Sequence, residues 1–563
     1  PDRENNIVAF RSRISVLFGL ILACAPALGA SAAERIYARY SLLERSISIE
    51  SLEIYAKEGR LTDDLATYTR FFRKDQLSGI REGLQTSVEL DALTIAQFLY
   101  TPIGERLLKR VSAVVRPRSG TKGDRALRSA LILAAVEPGG LTPLNVLKKY
   151  PTRGIQVDLK AGLDLFQEGQ RLVKETQEVV LAIESAAQSP PVEDVLQTEL
   201  SRPGAGPWQK ISYELEDNTE KRLNYSRQSA SYPVDVYLPA VETESPHPVV
   251  VISHGLNSSR ESFDYLAQHL VSHGFVVVVP EHLGSSRNQL NALLSGTAND
   301  VISRTEFLDR PLDVSFALDE LERISQESRP LNGRLDFDQV GVIGQSFGGY
   351  TALALGGASL DFKRLRSDCN RNLDDTFNLS LLLQCLALRL EPRSYELADP
   401  RIKGVIALNP VGSSLFGPQG LGQITVPTLM IGGSSDTVSP LLPEQVIPYG
   451  WLQTSSRYFA MVNGGTHFSF IKSEPSTADI PELQALLGRR PDIAQDYLKS
   501  LSLAFLNRHV RDMTDQAELL TPSYGTRLSR QPLPLSIISD LPPLQAVPEG
   551  SDQATSTDGQ PVR

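Results

Sequence analysis

The stretch Gln339-Val340-Gly341-Val342-Ile343-Gly344-Gln345-Ser346-Phe347-Gly348-Gly349-Tyr350 decides the fold. It opens on a β-prone apolar run and continues into Thr351-Ala352-Leu353-Ala354-Leu355, which is small and helix-forming. Between the two stands Gly344-Gln345-Ser346-Phe347-Gly348, a Gly-x-Ser-x-Gly pentapeptide. Strand, sharp turn and helix in that order is the context in which a serine is presented as a nucleophile. The turn is strained, so the residues two before and two after the serine must be small, and Gly344 and Gly348 are. Gly349 lets the following helix approach the strands.

Two later segments supply partners for Ser346. Val426-Pro427-Thr428-Leu429-Met430-Ile431-Gly432-Gly433 predicts a buried strand, with Asp436 on the loop at its carboxyl end. Tyr458-Phe459-Ala460-Met461-Val462 predicts the next strand, followed by Asn463-Gly464-Gly465-Thr466-His467. Carboxyl ends of strands in an open parallel sheet line one crevice, so the three side chains are expected to converge there. A serine hydroxyl is a weak nucleophile at its free pKa and needs a base, here His467. Asp436 is expected to fix the imidazole tautomer and stabilise the imidazolium that forms.

With 563 residues, 41% hydrophobic and 22% charged, the chain is long enough for two domains or more. The net charge of −10 and the lack of a basic stripe exclude a nucleic-acid partner from the expectations. Arg11 and Arg13 precede an apolar run from Ile14 to Ala23, and Ala30-Ser31-Ala32 offers a cleavage site, so residues 1–32 predict an export leader. The run is short for a membrane span. An uncleaved anchor, or a lipidated Cys24, is the alternative. Cys369 and Cys385 then remain as an even pair in an oxidising compartment, either bridged across an insertion or left as two thiols.

Past the leader, Arg35–Tyr40 alternates like a short strand. Helical spacing of apolar residues follows at Leu61–Phe72, Asp75–Gln85, Leu93–Val115, Asp124–Val136 and Leu159–Ala187. A mostly helical amino-terminal domain over 33–189 is expected, with a linker over 190–210 around Pro190-Pro191 and Arg202-Pro203-Gly204. From 211 to 510, β-type runs at Ile211–Leu215, Pro233–Leu238, Pro248–Ser253 and Phe275–Val279 alternate with helices at Glu261–Ser272 and Pro311–Ser325. Such alternation predicts an α/β fold: a mainly parallel sheet with helices on both faces. An insertion over 359–400 carries the apolar Leu379-Ser380-Leu381-Leu382-Leu383, which either covers the crevice or packs on the amino-terminal domain. Asp492–His509 predicts the closing helix, and 511–563 an extension whose polar end from Gly550 reads as disordered.

His254-Gly255-Leu256 ends the strand two before the serine strand, which makes the Leu256 and Phe347 backbone N–H groups candidates for an oxyanion hole. His269 and His273 have metal-ligand spacing on a helix, but Leu270 stands where a zinc protease needs glutamate. His273 before Gly274 also reads as a helix end, where the dipole favours histidine. No metal is therefore expected there. Asn378-Leu379-Ser380 is a glycosylation sequon without further support.

Ser253-His254-Gly255-Leu256 together with Gly344-Gln345-Ser346-Phe347-Gly348-Gly349 resembles the platelet-activating-factor acetylhydrolase group of α/β-hydrolases over roughly Ile211 to His509. The amino-terminal region resembles the uncharacterised domain on cyanobacterial α/β-hydrolases. The resemblance implies an α/β-hydrolase fold and a serine esterase or lipase acting on short acyl chains, without metal or cofactor. A small ester or lipid is the expected substrate, and transient contact to a membrane surface a further expectation. Two departures stand out. Leu256 is followed by Asn257 where the group often has glycine. The group's acid falls on the earlier strand, at Asn409 here, whereas Asp436 matches dienelactone-hydrolase-like relatives. A serine peptidase of the same fold and a non-catalytic binding protein are the rival expectations.

Overall fold

The computed structural model describes residues 32–40, 43–69, 74–87, 92–189, 200–241, 243–327, 330–371, 378–472, 488–513 and 518–543. The expected leader up to residue 31 with Cys24, the Pro190-Pro191 pair and the polar end from Gly550 lie outside them. Two compact units divide at Asp164/Leu165, inside the helix α1 (Leu159–Ala186), rather than at that proline pair.

In the first unit, β1 (Arg35–Tyr40) lies between β2 (Leu43–Ser48) and β4 (Gly154–Asp158), and β3 (Val115–Pro117) pairs with β4, giving the order β2-β1-β4-β3. Only β1 was expected. β3 and β4, of three and five residues, are too brief for a period of two to stand out beside the helices. The helix expected over Leu93–Val115 is two, Ala92–Leu99 and Pro102–Val114. Thr101 breaks it by turning its hydroxyl to the Gly104 N–H at 3.1 Å, and Pro102 starts the second helix where its missing N–H is harmless.

In the second unit, Val249-Val250-Val251-Ile252 and Val276-Val277-Val278-Val279 are buried without a break. Parallel strands covered on both faces select such continuous runs. The strands are β5 (Trp208–Asp217), β6 (Ala230–Pro239), β7 (His247–Ser253), β8 (Val276–Pro280), β9 (Leu335–Gln345), β10 (Ile402–Leu408), β11 (Thr428–Gly433), β12 (Arg457–Val462) and β13 (Leu535–Ile538). They form one sheet in the order β13-β12-β11-β10-β9-β7-β8-β6-β5. The stretch from β8 to β12 is parallel, β6 and β13 run antiparallel to it on its two sides, and β5 pairs antiparallel with β6. One face packs on α2 (Asp264–Ser272), through Leu266 and Leu270. The strand β13 corrects the reading of 511–563 as a mere extension: Leu535, Ile537 and Ile538 are buried against β12. Pro532 and Pro534 masked it by making the approach look like a loop.

The helix before the serine strand, α3 (Glu306–Glu327), begins five residues ahead of the expected start at Pro311. Proline inside a helix leaves the carbonyl four residues earlier without its N–H partner. That carbonyl is Phe307's, and the Tyr350 hydroxyl donates to it at 2.6 Å. Tyr350 belongs to α4 (Phe347–Leu355), the helix after the serine, so the substitute bond also ties α3 to α4.

The insertion contains α5 (Phe362–Arg371) and α6 (Leu379–Gln384). Cys369 and Cys385 are bridged, with Cα atoms 5.9 Å apart across a separation of 16 residues. Titrating denatured, unreduced chain that has lost its leader should find neither thiol, and two reactive thiols would refute the bridge. In the chain-entropy account a loop of this size stabilises by about 3 kcal/mol, so reduction should lower the melting temperature. Leu381 and Leu383 are buried while Leu379 is 44% exposed, so the apolar run is not covered along its whole length as expected.

Candidate active site

Ser346 sits between β9 and α4 with φ 56° and ψ −114°, a conformation that an L-residue adopts only under constraint. The constraint is visible. The Ser346 N–H donates to the Leu408 carbonyl of β10 at 2.9 Å, and the Ser346 carbonyl accepts from Val411 at 3.3 Å and Tyr350 at 3.1 Å. A Cβ at Gly344 would strike the Gly348 carbonyl, and one at Gly348 would strike that of Ser253. Only glycine fits either place, which is the physical content of the pentapeptide. The φ and ψ of Ser346 cost on the order of 1–3 kcal/mol, borne by these anchors.

Asp436 and His467 reach Ser346 from the ends of β11 and β12. His467 Nδ1 lies 2.7 Å from Asp436 Oδ2, and His467 Nε2 lies 2.9 Å from Ser346 Oγ. All three side chains are buried. A carboxylate only accepts, so Nδ1 carries the ring proton and Nε2 is left to receive the serine's. The other oxygen of Asp436 accepts the N–H groups of Val438 at 2.9 Å and Ser439 at 2.7 Å, which fixes the carboxylate plane. Phe468 packs edge-on against the imidazole, ring centroids 5.1 Å apart.

Further residues hold this arrangement without a role read from the sequence. Gln345 donates its side-chain amide to the His467 carbonyl at 3.2 Å, and its amide oxygen occupies the space a Cβ at Gly255 would need. Asn409 donates to the Thr466 carbonyl at 3.2 Å and has a left-handed backbone, φ 42°. Gln345 was in the quoted pentapeptide, but a variable position carries no signal of its own. Phe347 is the first residue of α4, where a backbone N–H has no helical acceptor. Leu256 follows β7, the strand hydrogen-bonded to β9, so its loop borders the elbow.

The insertion meets the same edge of the sheet. The Ser380 N–H donates to the Val438 carbonyl at 2.9 Å, two residues from Asp436. Buried Glu444 accepts from Asn378, from Gln384 at 2.9 Å and from the Ser413 hydroxyl at 2.6 Å, as well as from the Gly412 and Ser413 N–H groups at 3.1 Å each. Asn378 is thus committed inside the fold, which leaves its sequon nothing to offer. His269 and His273 meet edge to face with centroids 4.7 Å apart, and the His273 ring meets the Arg202 carbonyl at 3.0 Å. Burial holds His269 down to about 3, so it is neutral. Among the described residues no three His, Cys, Asp or Glu side chains gather as a metal site.

A mainly parallel sheet with a serine on a strained strand–helix turn, and histidine and carboxylate behind later strands, defines an α/β-hydrolase fold. Residues 32–158 match the family described as "Alpha/beta hydrolase of unknown function (DUF1400)", and residues 208–366 match "Chlorophyllase". The chain is 24% identical to Cutinase 1 of Thermobifida cellulosilytica over 53% of its own length and 82% of that protein. It is 22% identical to a bis(hydroxyethyl) terephthalate hydrolase of Streptomyces coelicolor over 51% and 65%. A shorter match, 26% identical, relates 20% of the chain to 32% of the platelet-activating factor acetylhydrolase of Cavia porcellus.

Proposed function

We propose that the chain is a carboxylic ester hydrolase that works through an acyl-enzyme on Ser346. The hydrogen-bonded series Ser346–His467–Asp436, at 2.9 and 2.7 Å, carries this reading. Ser346 Oγ attacks the ester carbonyl while His467 Nε2 takes its proton. The developing oxyanion is received by the N–H groups of Leu256 and Phe347. His467 returns the proton to the departing alkoxide, then activates water to release the acid, with Asp436 steadying the imidazolium throughout. Fixed backbone donors suit the task because they need no reorganisation as charge develops. Relatives named cutinase and bis(hydroxyethyl) terephthalate hydrolase favour an ester over an amide.

The substrate in this reading is a small ester or a lipid, met outside the cytoplasm after export on the leader, with passing contact to a membrane surface. The insertion borders the acyl site as a lid, a placement supported by the Ser380–Val438 bond beside Asp436. No helix among the described residues is long and apolar enough to cross a membrane.

The test compares p-nitrophenyl acetate with p-nitroanilide amides on the purified chain. The expected result is ester turnover exceeding amide turnover by orders of magnitude in kcat/KM. Faster amide cleavage would make the protein a peptidase, and no turnover of either would make it a binding protein on a hydrolase fold.

A further inference from the structure

Behind the loop that carries Leu256 lies a second Ser–His–Asp series that the proposed reaction does not use. Ser253 Oγ lies 2.9 Å from His282 Nε2, and His282 Nδ1 lies 2.8 Å from Asp313 Oδ2. The distances match those at Ser346, but the surroundings differ. Ser253 and His282 have no exposed surface, and Ser253 Oγ also accepts from Arg310 Nη2 at 3.4 Å. A hydroxyl whose proton goes to His282 and whose lone pair faces a cation, with no path to solvent, does not attack a substrate. It is an anchor, and what it anchors is Arg310.

Arg310 is fully buried, and its guanidinium touches both halves of the proposed oxyanion hole. On one side Nη2 donates to the His254 carbonyl. Nη1 donates to the Ser285 hydroxyl, and the Ser285 carbonyl accepts the Asn257 N–H at 2.8 Å. Leu256 is therefore gripped on both flanks. On the other side Nε donates to the Thr351 hydroxyl of α4 at 3.1 Å, and the guanidinium carbon lies 4.6 Å from the centre of the Phe347 ring. Burial lowers the Arg310 pKa to about 10, so the group is a cation at neutral pH, with Glu306 4.0 Å away.

The peptide group between the two flanks is held as well. His254 Nε2 accepts the His282 backbone N–H at 3.0 Å, which leaves Nδ1 to donate to the Gly255 carbonyl at 2.8 Å. Burial, reinforced by nearby Arg310, keeps His254 neutral, as this tautomer requires. In a planar trans peptide the C=O and the following N–H point in opposite directions. Fixing the Gly255 oxygen therefore fixes the direction of the Leu256 N–H.

We infer that Arg310 is a positioning residue for hydrolysis, a cross-brace that sets the spacing of the Leu256 and Phe347 N–H groups by clamping the His254 carbonyl to the nucleophile helix. The inference rests on the assignment of Ser346 and its two donors made above. Arginine suits the place because its planar fork spreads its donors over three separate nitrogens, whereas a lysine ammonium gathers its three on one. Interactions made chiefly in the transition state govern kcat, whereas uniform binding governs KM.

Full-length wild type, Arg310→Lys, Thr351→Val, Thr351→Ser and Ser346→Ala are compared for kcat, KM, melting temperature and inhibition by a trifluoromethyl ketone, whose adduct carries an oxyanion. Loss of one donor costs about 10²–10³ in kcat, so Arg310→Lys should lower kcat about tenfold or more, with KM changed by less than about threefold. The inhibition constant should rise in step with the fall in kcat/KM. Thr351→Val should act in the same sense to a smaller degree, and Thr351→Ser, which keeps the hydroxyl, should restore kcat. Unchanged kcat in folded Arg310→Lys, or a lower kcat with unchanged inhibition, overturns the brace. If that variant does not fold, the threonine pair decides, and equal kcat for Val and Ser overturns it. If Ser346→Ala keeps wild-type turnover, the nucleophile assignment itself falls. If Ser346→Ala is inactive while the Arg310 and Thr351 variants match wild type, only the brace falls.

Discussion

Ser346→Ala is expected to lower kcat/KM for p-nitrophenyl acetate by about 10⁵-fold or more, since members of such a triad act as a unit. His467→Ala should be comparably severe for the same reason. The protein should stay folded. Ser346 makes one side-chain hydrogen bond, to His467, and its backbone is held by Leu408, Val411 and Tyr350 whatever the side chain. Alanine shares the left-handed strain of serine at φ 56°, so the melting temperature should move little. Stopped assays on purified variants of matched circular dichroism measure the loss. Substantial turnover in a folded Ser346→Ala protein would sink the nucleophile assignment.

Asp436→Asn should be the next most damaging change, at about 10⁴-fold in kcat, through the tautomer rather than through the fold. An amide in that place can donate its N–H to His467 Nδ1, which drives the ring proton to Nε2, where it opposes the serine's. Asn409 is the contrasting site. Its side chain makes a single bond at 3.2 Å, to the Thr466 carbonyl, and a neutral hydrogen bond contributes about 0.5–1.5 kcal/mol. Asn409→Ala should therefore cost about tenfold at most in kcat/KM. If Asp436→Ala retains activity and Asn409→Ala does not, another group orients the histidine.

The strands that carry this geometry were legible because burial on both faces writes them as unbroken apolar runs, and because Gly344 and Gly348 leave no room for a Cβ. Asp436 and His467 were legible by position alone, each just past such a run. The buried polar network was not. Arg310, His282 and Asp313 are charged or polar residues in segments whose pattern reads as an ordinary helix and an ordinary loop, and no local spacing announces that they meet. The start of α3 was misplaced because Pro311 normally opens a helix, and the compensating hydroxyl of Tyr350 lies 39 positions later in the chain, beyond the reach of any local rule. Edge strand β13 was hidden by its flanking prolines, and β3 and β4 by their brevity.

Glu444 has a consequence for how freely the chain can be edited. Its carboxylate gathers donors from the insertion, at Asn378 and Gln384, and from the start of α7 (Ser413–Leu421), at Gly412 and Ser413. Hydrogen bonds to a charged group contribute about 1.5–3 kcal/mol each, and a buried charge that loses them costs more than it gained. The insertion is therefore not a detachable module. A shortened chain from which it had been excised would keep the carboxylate and lose two of its donors, next to the loop that presents Asp436. Swapping insertions between relatives would meet the same obstacle unless Glu444 travelled with them, so the two segments are expected to be inherited, and redesigned, as one piece.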